Sequence, residues 1–316
     1  MNQFIESITN EVRAVIKGKD EVISKVMMAI LAKGNVLLED VPGVGKTTMA
    51  LAFAGAMGLD TKRVQFTPDT LPSDIIGFSV YDKESGTLSY KEGAIFTNLL
   101  LADEINRTSS KTQAALLEAM EERKVTVDGI TRMLPEPFIV LATENPAGSS
   151  GTQMLPNSQL DRFMVKLSIG YPDIESQAEI LAARHTENPI DKVKRVISME
   201  ELKQLINDVA EVFIDKSVYE YIARLVQKTR EHEMVNLGVS PRGALALCKI
   251  AKAHAFTESR DFVTPDDVRA VFADVCGHRL MLNSKARLNE LRAEDILDEI
   301  IKDVQMPAAE DFKKMR

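Results

Sequence analysis

Eight consecutive residues, Asp40-Val41-Pro42-Gly43-Val44-Gly45-Lys46-Thr47, have the types and spacing to cradle a polyphosphate. An apolar run, Val36-Leu37-Leu38, precedes them and a helix-compatible run, Met49 to Met57, follows. Glycines let backbone N–H groups close on phosphate oxygens with no Cβ in the way. A lysine at position 46 reaches the β- and γ-phosphates, and the Thr47 hydroxyl can ligate Mg²⁺. The helix start, with Thr48 beside Thr47, adds unpaired N–H groups and positive dipole character. One position departs from the usual pattern: Asp40 stands where a first glycine is expected. Aspartate tolerates left-handed backbone better than most residues, so the loop can still close.

A second set of residues could complete a hydrolytic site. Asp103-Glu104 ends the apolar run Asn98 to Ala102. A carboxylate there holds Mg²⁺ through water, and its neighbour can polarise the water that attacks the γ-phosphate. Taken alone, an acidic pair can equally open a helix; some 55 residues after Lys46-Thr47 the chemical reading prevails. Asn145 follows another buried-type strand, on the edge where open α/β sheets bind ligands, and its amide can orient water. Arg162, in Leu160-Asp161-Arg162-Phe163, is either a surface ion-pair partner or a cation offered to a neighbour's nucleotide. Arg242, in Ser240-Pro241-Arg242-Gly243, follows a good N-cap and a good first helical residue. A cation at a positive helix end suits an anion partner. Arg107 rivals Arg162 for the trans-acting role. His185, His232, His254 and His278 have no metal-ligand spacing.

Elements to position these groups can be read from periodicity. Phe4 to Ile16 and Val22 to Ile30 carry helical apolar faces, broken at Lys17-Gly18-Lys19. Strands are expected at Val36–Leu38, Arg63–Phe66, Asn98–Ala102, Phe138–Ala142 and Phe163–Ile169. A helix is expected from Ser109 to Arg123. Two hairpins interrupt this alternation. One lies within Thr67–Gly93, pairing Phe78–Tyr81 with Thr87–Tyr90. The other turns at Asp128-Gly129. A Gly- and Ser-rich loop spans Ala147 to Gly151. From Ile174 to Asn283 only helical periodicity is visible. A charged tail follows, with a helix expected over Asn289–Val304. The fold class is therefore α/β, a parallel sheet flanked by helices with β-hairpin inserts, plus an all-α domain. The divisions fall at 1–172, 173–285 and 286–316.

Composition narrows the function. The chain has 316 residues, 45% of them hydrophobic, which is enough for real cores. A net charge of −8 and the absence of Trp argue against a nucleic-acid surface. No apolar run is long enough to span a membrane, and the N-terminus lacks a signal-peptide layout. Cys248 and Cys276 make no disulfide framework, so a cytoplasmic setting is expected.

Taken together, these elements resemble a MoxR-type AAA+ ATPase. The resemblance runs from about residue 10 to residue 283. It is carried by the segment Leu38 to Thr47, by Leu101-Ala102-Asp103-Glu104-Ile105-Asn106-Arg107, by Ala142-Thr143-Glu144-Asn145-Pro146, by Leu160-Asp161-Arg162-Phe163 and by Ser240-Pro241-Arg242. Members of the family often carry Asp in place of the first loop glycine. The resemblance implies that residues Asp40 to Thr48 hold ATP, that Thr47 and Asp103 hold Mg²⁺ mostly through water, and that Glu104 activates water. Asn145 matches sensor 1, Arg162 the arginine finger and Arg242 sensor 2. The stretch Val15 to Gly18, with Ile16 and Gly18, would line the adenine, and the inserts would line a central pore. It further implies a homo-oligomeric ring, usually a hexamer. A chaperone-like role in assembling or activating other proteins goes with it, often with a von Willebrand A-domain partner. The alternatives are an AAA+ motor acting on nucleic acid, a non-hydrolysing nucleotide switch and an ATPase subunit for metal insertion.

Overall fold

A computed structural model describes residues 2–41, 43–83, 86–145, 154–183 and 188–307. Pro42, the 147–151 loop, His185 and the last nine residues lie outside them. The chain opens with α1 (Gln3–Val15) and α2 (Asp20–Leu31), joined by the tight turn at Gly18. Gly18 has φ +66°, and a Cβ there would fall 2.2 Å from the Ser176 hydroxyl oxygen, so no larger residue fits. Then come β1 (Val36–Glu39), α3 (Lys46–Met57) and β2 (Thr61–Gln65). A short α4 (Pro72–Ile76) leads into the first hairpin, β3 (Phe78–Asp82) and β4 (Thr87–Lys91). β5 (Leu99–Asp103) and α5 (Ser110–Glu122) follow. The second hairpin, β6 (Lys124–Val127) and β7 (Ile130–Met133), leads to β8 (Ile139–Glu144). A one-turn α6 (Asn157–Leu160) and β9 (Val165–Leu167) finish the sheet domain.

Five strands form one parallel sheet in the order β2-β5-β8-β1-β9. Each central strand is buried on both faces, and alternate residues serve two different cores. Val36, Leu38, Leu99, Leu101, Ile139 and Leu141 pack with α1, α2 and α3. Leu37, Leu100, Ala102, Val140 and Ala142 face Leu116 and Met120 of α5. This two-sided burial explains why these strands read as continuous apolar runs. It also fixes their register, because a one-residue slip would exchange the two cores. All five strands end at the same edge, which therefore collects Glu39, Gln65, Asp103 and Glu144.

The second part holds α7 (Ile174–Ala183), α8 (Met199–Glu211) and α9 (Lys216–Glu231). Next are β10 (Val235–Leu237), α10 (Pro241–Thr257), α11 (Pro265–Cys276) and β11 (Met281–Leu282). α12 (Ser284–Leu288) and α13 (Ala293–Asp303) end it. The purely helical expectation for 174–283 needs correcting, since β10 and β11 pair as an antiparallel ribbon. Strands of three and two residues are too short to show alternation. The single tail helix expected over 289–304 is also shortened. Glu290 takes a left-handed φ of 55°, which separates α12 from α13.

One buried ionic cluster organises the helical part. Asp267, in the first turn of α11, accepts hydrogen bonds from His254 Nδ1 (2.6 Å), Arg260 Nη1 (2.6 Å), Thr264 N (2.7 Å) and Thr264 Oγ1 (2.8 Å). Burial alone would raise its carboxyl. Arg260, His254 and Thr264 outweigh that and hold it well below the usual carboxylate range. Asp267→Asn is expected to destabilise the protein by about 3 kcal/mol, since it leaves Arg260 without its counter-charge. The folded carboxyl titrates lower than the unfolded one. Its contribution is therefore complete above about pH 4 and is lost as pH falls through the folded value. Thermal unfolding of both proteins across pH should show the gap closing in acid.

Candidate active site

The polyphosphate loop lies between β1 and α3, as the sequence requires. Gly43 and Gly45 adopt φ of +90° and +100°, and α3 begins at Lys46. A Cβ built on Gly43 would meet nothing within 4 Å, and one on Gly45 only Ile16 Cδ1 at 3.8 Å. These glycines therefore serve backbone conformation and leave space above the loop for a ligand. Lys46 is buried at 7% exposure, with its Nζ 2.6 Å from the Asp40 carbonyl and 3.4 Å from that of Glu144. Burial draws the Lys46 ammonium below its ordinary value, while Asp40, Asp103, Glu104 and Glu144 pull the other way. A desolvated cation at the start of a helix is well placed to meet an incoming polyanion, while the acids around it suit a bridging cation.

Asp103 and Glu104 sit at the end of β5, held by neighbours from both adjoining strands. Thr143 of β8 donates its hydroxyl to Asp103 Oδ1 (2.6 Å) and accepts from the Glu104 amide (2.8 Å). Arg63 of β2 pairs with Asp103 Oδ2 at 2.7 Å. Glu104 takes a left-handed φ of 56°, which turns its side chain toward Asn145. The Asn145 amide donates to Glu104 Oε1 (2.9 Å); Gln65 (2.9 Å) and Arg107 (2.8 Å) donate to Oε2. Partial desolvation raises the Glu104 carboxyl, but Arg107 and Asn145 bring it below its ordinary value. Asn106 donates to the Asn145 carbonyl at 3.0 Å, and the buried Asn145 Oδ1 has no partner among the described residues. Glu39 and Glu144 lie side by side in register, and Lys166 of β9 bridges them at 3.0 and 3.3 Å. Burial nonetheless pushes the Glu144 carboxyl up, with Lys166 opposing it.

Beside the loop opens a cleft of about 450 Å³ lined by Val15, Ile16, Lys17, Gly43 to Gly45, Thr48, Tyr171, Pro172, Ile180 and Leu181, among others. One end is polar backbone and the other apolar side chain, the division a nucleotide needs. Ile16 lines this cleft; Gly18 makes the turn beside it, against Ser176. Thr47 opens α3 next to Lys46. The Thr47 hydroxyl and the Asp103 carboxylate are oxygen donors of the kind Mg²⁺ takes alongside phosphate and water.

Arg162 and Arg242 meet elsewhere. Both pair with Glu121 at the end of α5, Arg162 at 2.5 Å. Arg162 also donates to the Leu117 carbonyl at 3.0 Å. Arg242 lies 3.5 Å from Asp161, which accepts from Ser240 (2.9 and 3.0 Å) and Arg279 (2.8 Å). Among the described residues their partners belong to this cluster and none to the phosphate loop. Arg107, by contrast, touches Glu104 of its own chain.

Sequence reasoning missed Arg63, Gln65, Thr143, Glu121 and Arg279. Arg63 and Gln65 share one face at the end of β2, two residues apart. That strand's place next to β5, rather than β1, is a matter of topology, which no local pattern reveals.

Comparison with known proteins agrees with this geometry. The profile of the "ATPase family associated with various cellular activities (AAA)" matches residues 35–165, and that of the "AAA lid domain" residues 227–300. The chain is 47% identical over 97% of its length to YeaC of Bacillus subtilis, an uncharacterised protein, covering 96% of it. It is 37% identical to "Chaperone MoxR1" of Mycobacterium tuberculosis over 96% of this chain and 82% of that one. A crystal structure from Cytophaga hutchinsonii superposes with a TM-score of 0.89 at 37% identity, covering 96% of this chain and 95% of that one. The activity of that molecule, as an ATPase, is itself inferred.

Proposed function

We propose a function from a single premise: the chain belongs to the MoxR-type AAA+ ATPases. On that premise it is a Mg²⁺-dependent ATPase that converts ATP and water to ADP and phosphate. It works as a homo-oligomeric ring, hexameric in our reading, and remodels partner proteins. A von Willebrand A-domain protein is the partner class we favour, and "chaperone" in the name of the 37% relative supports the remodelling role. The functional units are residues 1–172 for nucleotide, 173–285 as lid and 286–316 as tail. A cytoplasmic setting accords with two free cysteines, one of them, Cys276, buried and pushed up to about 12 by that burial.

One observation carries the reading. Lys46, Asp103, Glu104 and Asn145 converge from β1–α3, β5 and β8 on one sheet edge, around a desolvated cation and an acidic pair. In the proposed mechanism the backbone of residues 40–48 and the Lys46 side chain hold the phosphates, and Ile16 with Tyr171 holds the base. Bound Mg²⁺ supplies charge neutralisation at the β- and γ-phosphates. Thr47 and Asp103 would hold that ion, largely through water. Glu104 accepts a proton from water that Asn145 helps to orient. Among the described residues the contacts of Arg162 and Arg242 run to Glu121, Leu117 and Asp161 rather than to their own loop, which supports action on a neighbour's nucleotide.

Lys46→Ala tests the premise for binding. Titration calorimetry with Mg-ATP is expected to show an affinity lower by at least about 10²-fold, because a buried charge-assisted contact is lost. Wild-type affinity in this variant would remove the loop from the function.

A further inference from the structure

Asp40 is an acid at the mouth of an anion cradle, a placement that electrostatics disfavours. The structure resolves the conflict by turning its carboxylate away from the loop opening, where it is 8% exposed. Oδ2 accepts from the Ser168 hydroxyl (3.0 Å) and from the successive amides of Ile169 (2.6 Å) and Gly170 (2.7 Å). Oδ1 accepts from the Val41 amide of the loop at 3.1 Å. The Asp40 carbonyl meanwhile receives Lys46 Nζ. One residue thus joins the phosphate loop to the segment leaving β9. That segment continues directly into Tyr171 and Pro172, which wall the nucleotide cleft opposite Val15 to Lys17. From the other side, Lys19 donates to the Tyr171 carbonyl at 2.8 Å.

We propose that Asp40 is a positioning residue that staples the base-binding wall at Tyr171–Pro172 to the phosphate loop, so that the cleft selects a nucleotide over a bare polyphosphate. Glycine, the residue usual at this loop position, has no side chain with which to make the connection. Three donors on one ionised oxygen make it strong, since hydrogen bonds to charged acceptors are about twice as strong as neutral ones. The amides of Ile169 and Gly170, with Gly170 at φ +66°, form a small concave donor pair that a carboxylate fills. An asparagine of the same shape would present an amide NH₂ or a weaker neutral oxygen to those donors. The proposal rests on the ATP-binding reading and adds to it which part of ATP the residue serves.

The test compares two ligands, Mg-ATP and magnesium tripolyphosphate, by calorimetric titration of the wild-type chain, Asp40→Asn, Asp40→Gly and Ser168→Ala. Thermal melting first establishes that each variant is folded. Both Asp40 variants are expected to bind ATP about tenfold more weakly while holding tripolyphosphate within about twofold of wild type. Ser168→Ala, which removes one donor and spares the loop, is expected to lose about two- to threefold for ATP alone. If ATP and tripolyphosphate weaken together, Asp40 shapes only the phosphate loop and the staple is wrong. Unchanged ATP affinity in the Asp40 variants and Ser168→Ala overturns it as well. A wild-type chain that binds neither ligand brings down the underlying ATP reading, and that outcome is distinct from the other two.

Discussion

Glu104→Gln is expected to bind ATP as tightly as the wild-type chain and to hydrolyse it at least about 10²-fold more slowly, the usual scale for losing a general base. The separation of the two effects follows from the geometry. In the proposed function the phosphate contacts come from the loop and Lys46, whereas Glu104 is tied to Asn145, Gln65 and Arg107. Glutamine preserves the shape, and its one carbonyl oxygen can accept from Arg107 and Gln65 while its NH₂ donates to a turned Asn145 amide, so the fold around it should persist. It cannot take a proton. A pH argument sharpens the test. In the structure Glu104 is held below its ordinary carboxylate value, with Arg107 and Asn145 overcoming partial desolvation. It is therefore ionised throughout the neutral range. A falling rate between pH 8 and 6 should not originate from its protonation. A lowered carboxyl is also a weaker base, and release of Arg107 from Oε2 would strengthen it. Single-turnover phosphate release by both proteins measures the effect. Undiminished turnover in the variant would take Glu104 out of the chemistry.

Much of this arrangement was legible because it is local. Gly43, Gly45, Lys46 and Thr47 are adjacent in the chain, and the flanking runs fix a strand before and a helix after them. Asp103 and Asn145 were found for a similar reason, since each ends a run whose continuous apolar character signals burial on both faces. What escaped is what depends on strand order. Arg63 reaches Asp103 and Gln65 reaches Glu104 only because β2 lies beside β5. Thr143 reaches both acids only because β8 lies on β5's other side. The ribbon of β10 and β11 escaped through brevity, and the α12–α13 break through one left-handed residue inside an otherwise periodic stretch. Asp40 shows a third kind of failure. Its deviation from the loop pattern was visible, but its partners lie about 130 residues later in the chain.

The largest effect is expected from the arginine pair. Arg162→Ala and Arg242→Ala should each retain ATP binding and lose hydrolysis, Arg162→Ala by roughly 10³-fold or more, the scale for a trans-acting arginine at a phosphoryl transition state. Two guanidinium groups converge on the single carboxylate of Glu121, with Asp161 a more distant second acid already engaged by Arg279 and Ser240. The cluster thus presents cationic character at a position whose contacts, among the described residues, do not include its own phosphate loop. A ring built from heterologous interfaces would bring such a face to the neighbouring subunit's cleft. The decisive measurement mixes two inactive proteins. Lys46→Ala supplies intact arginines with a disabled cradle, and Arg162→Ala an intact cradle without the finger. In randomly mixed rings about a quarter of the interfaces would join a sound cradle to sound arginines, so turnover should recover toward about a quarter of wild type. Were Arg162 to act within its own chain, every site would still lack one component, and no mixing ratio would restore activity.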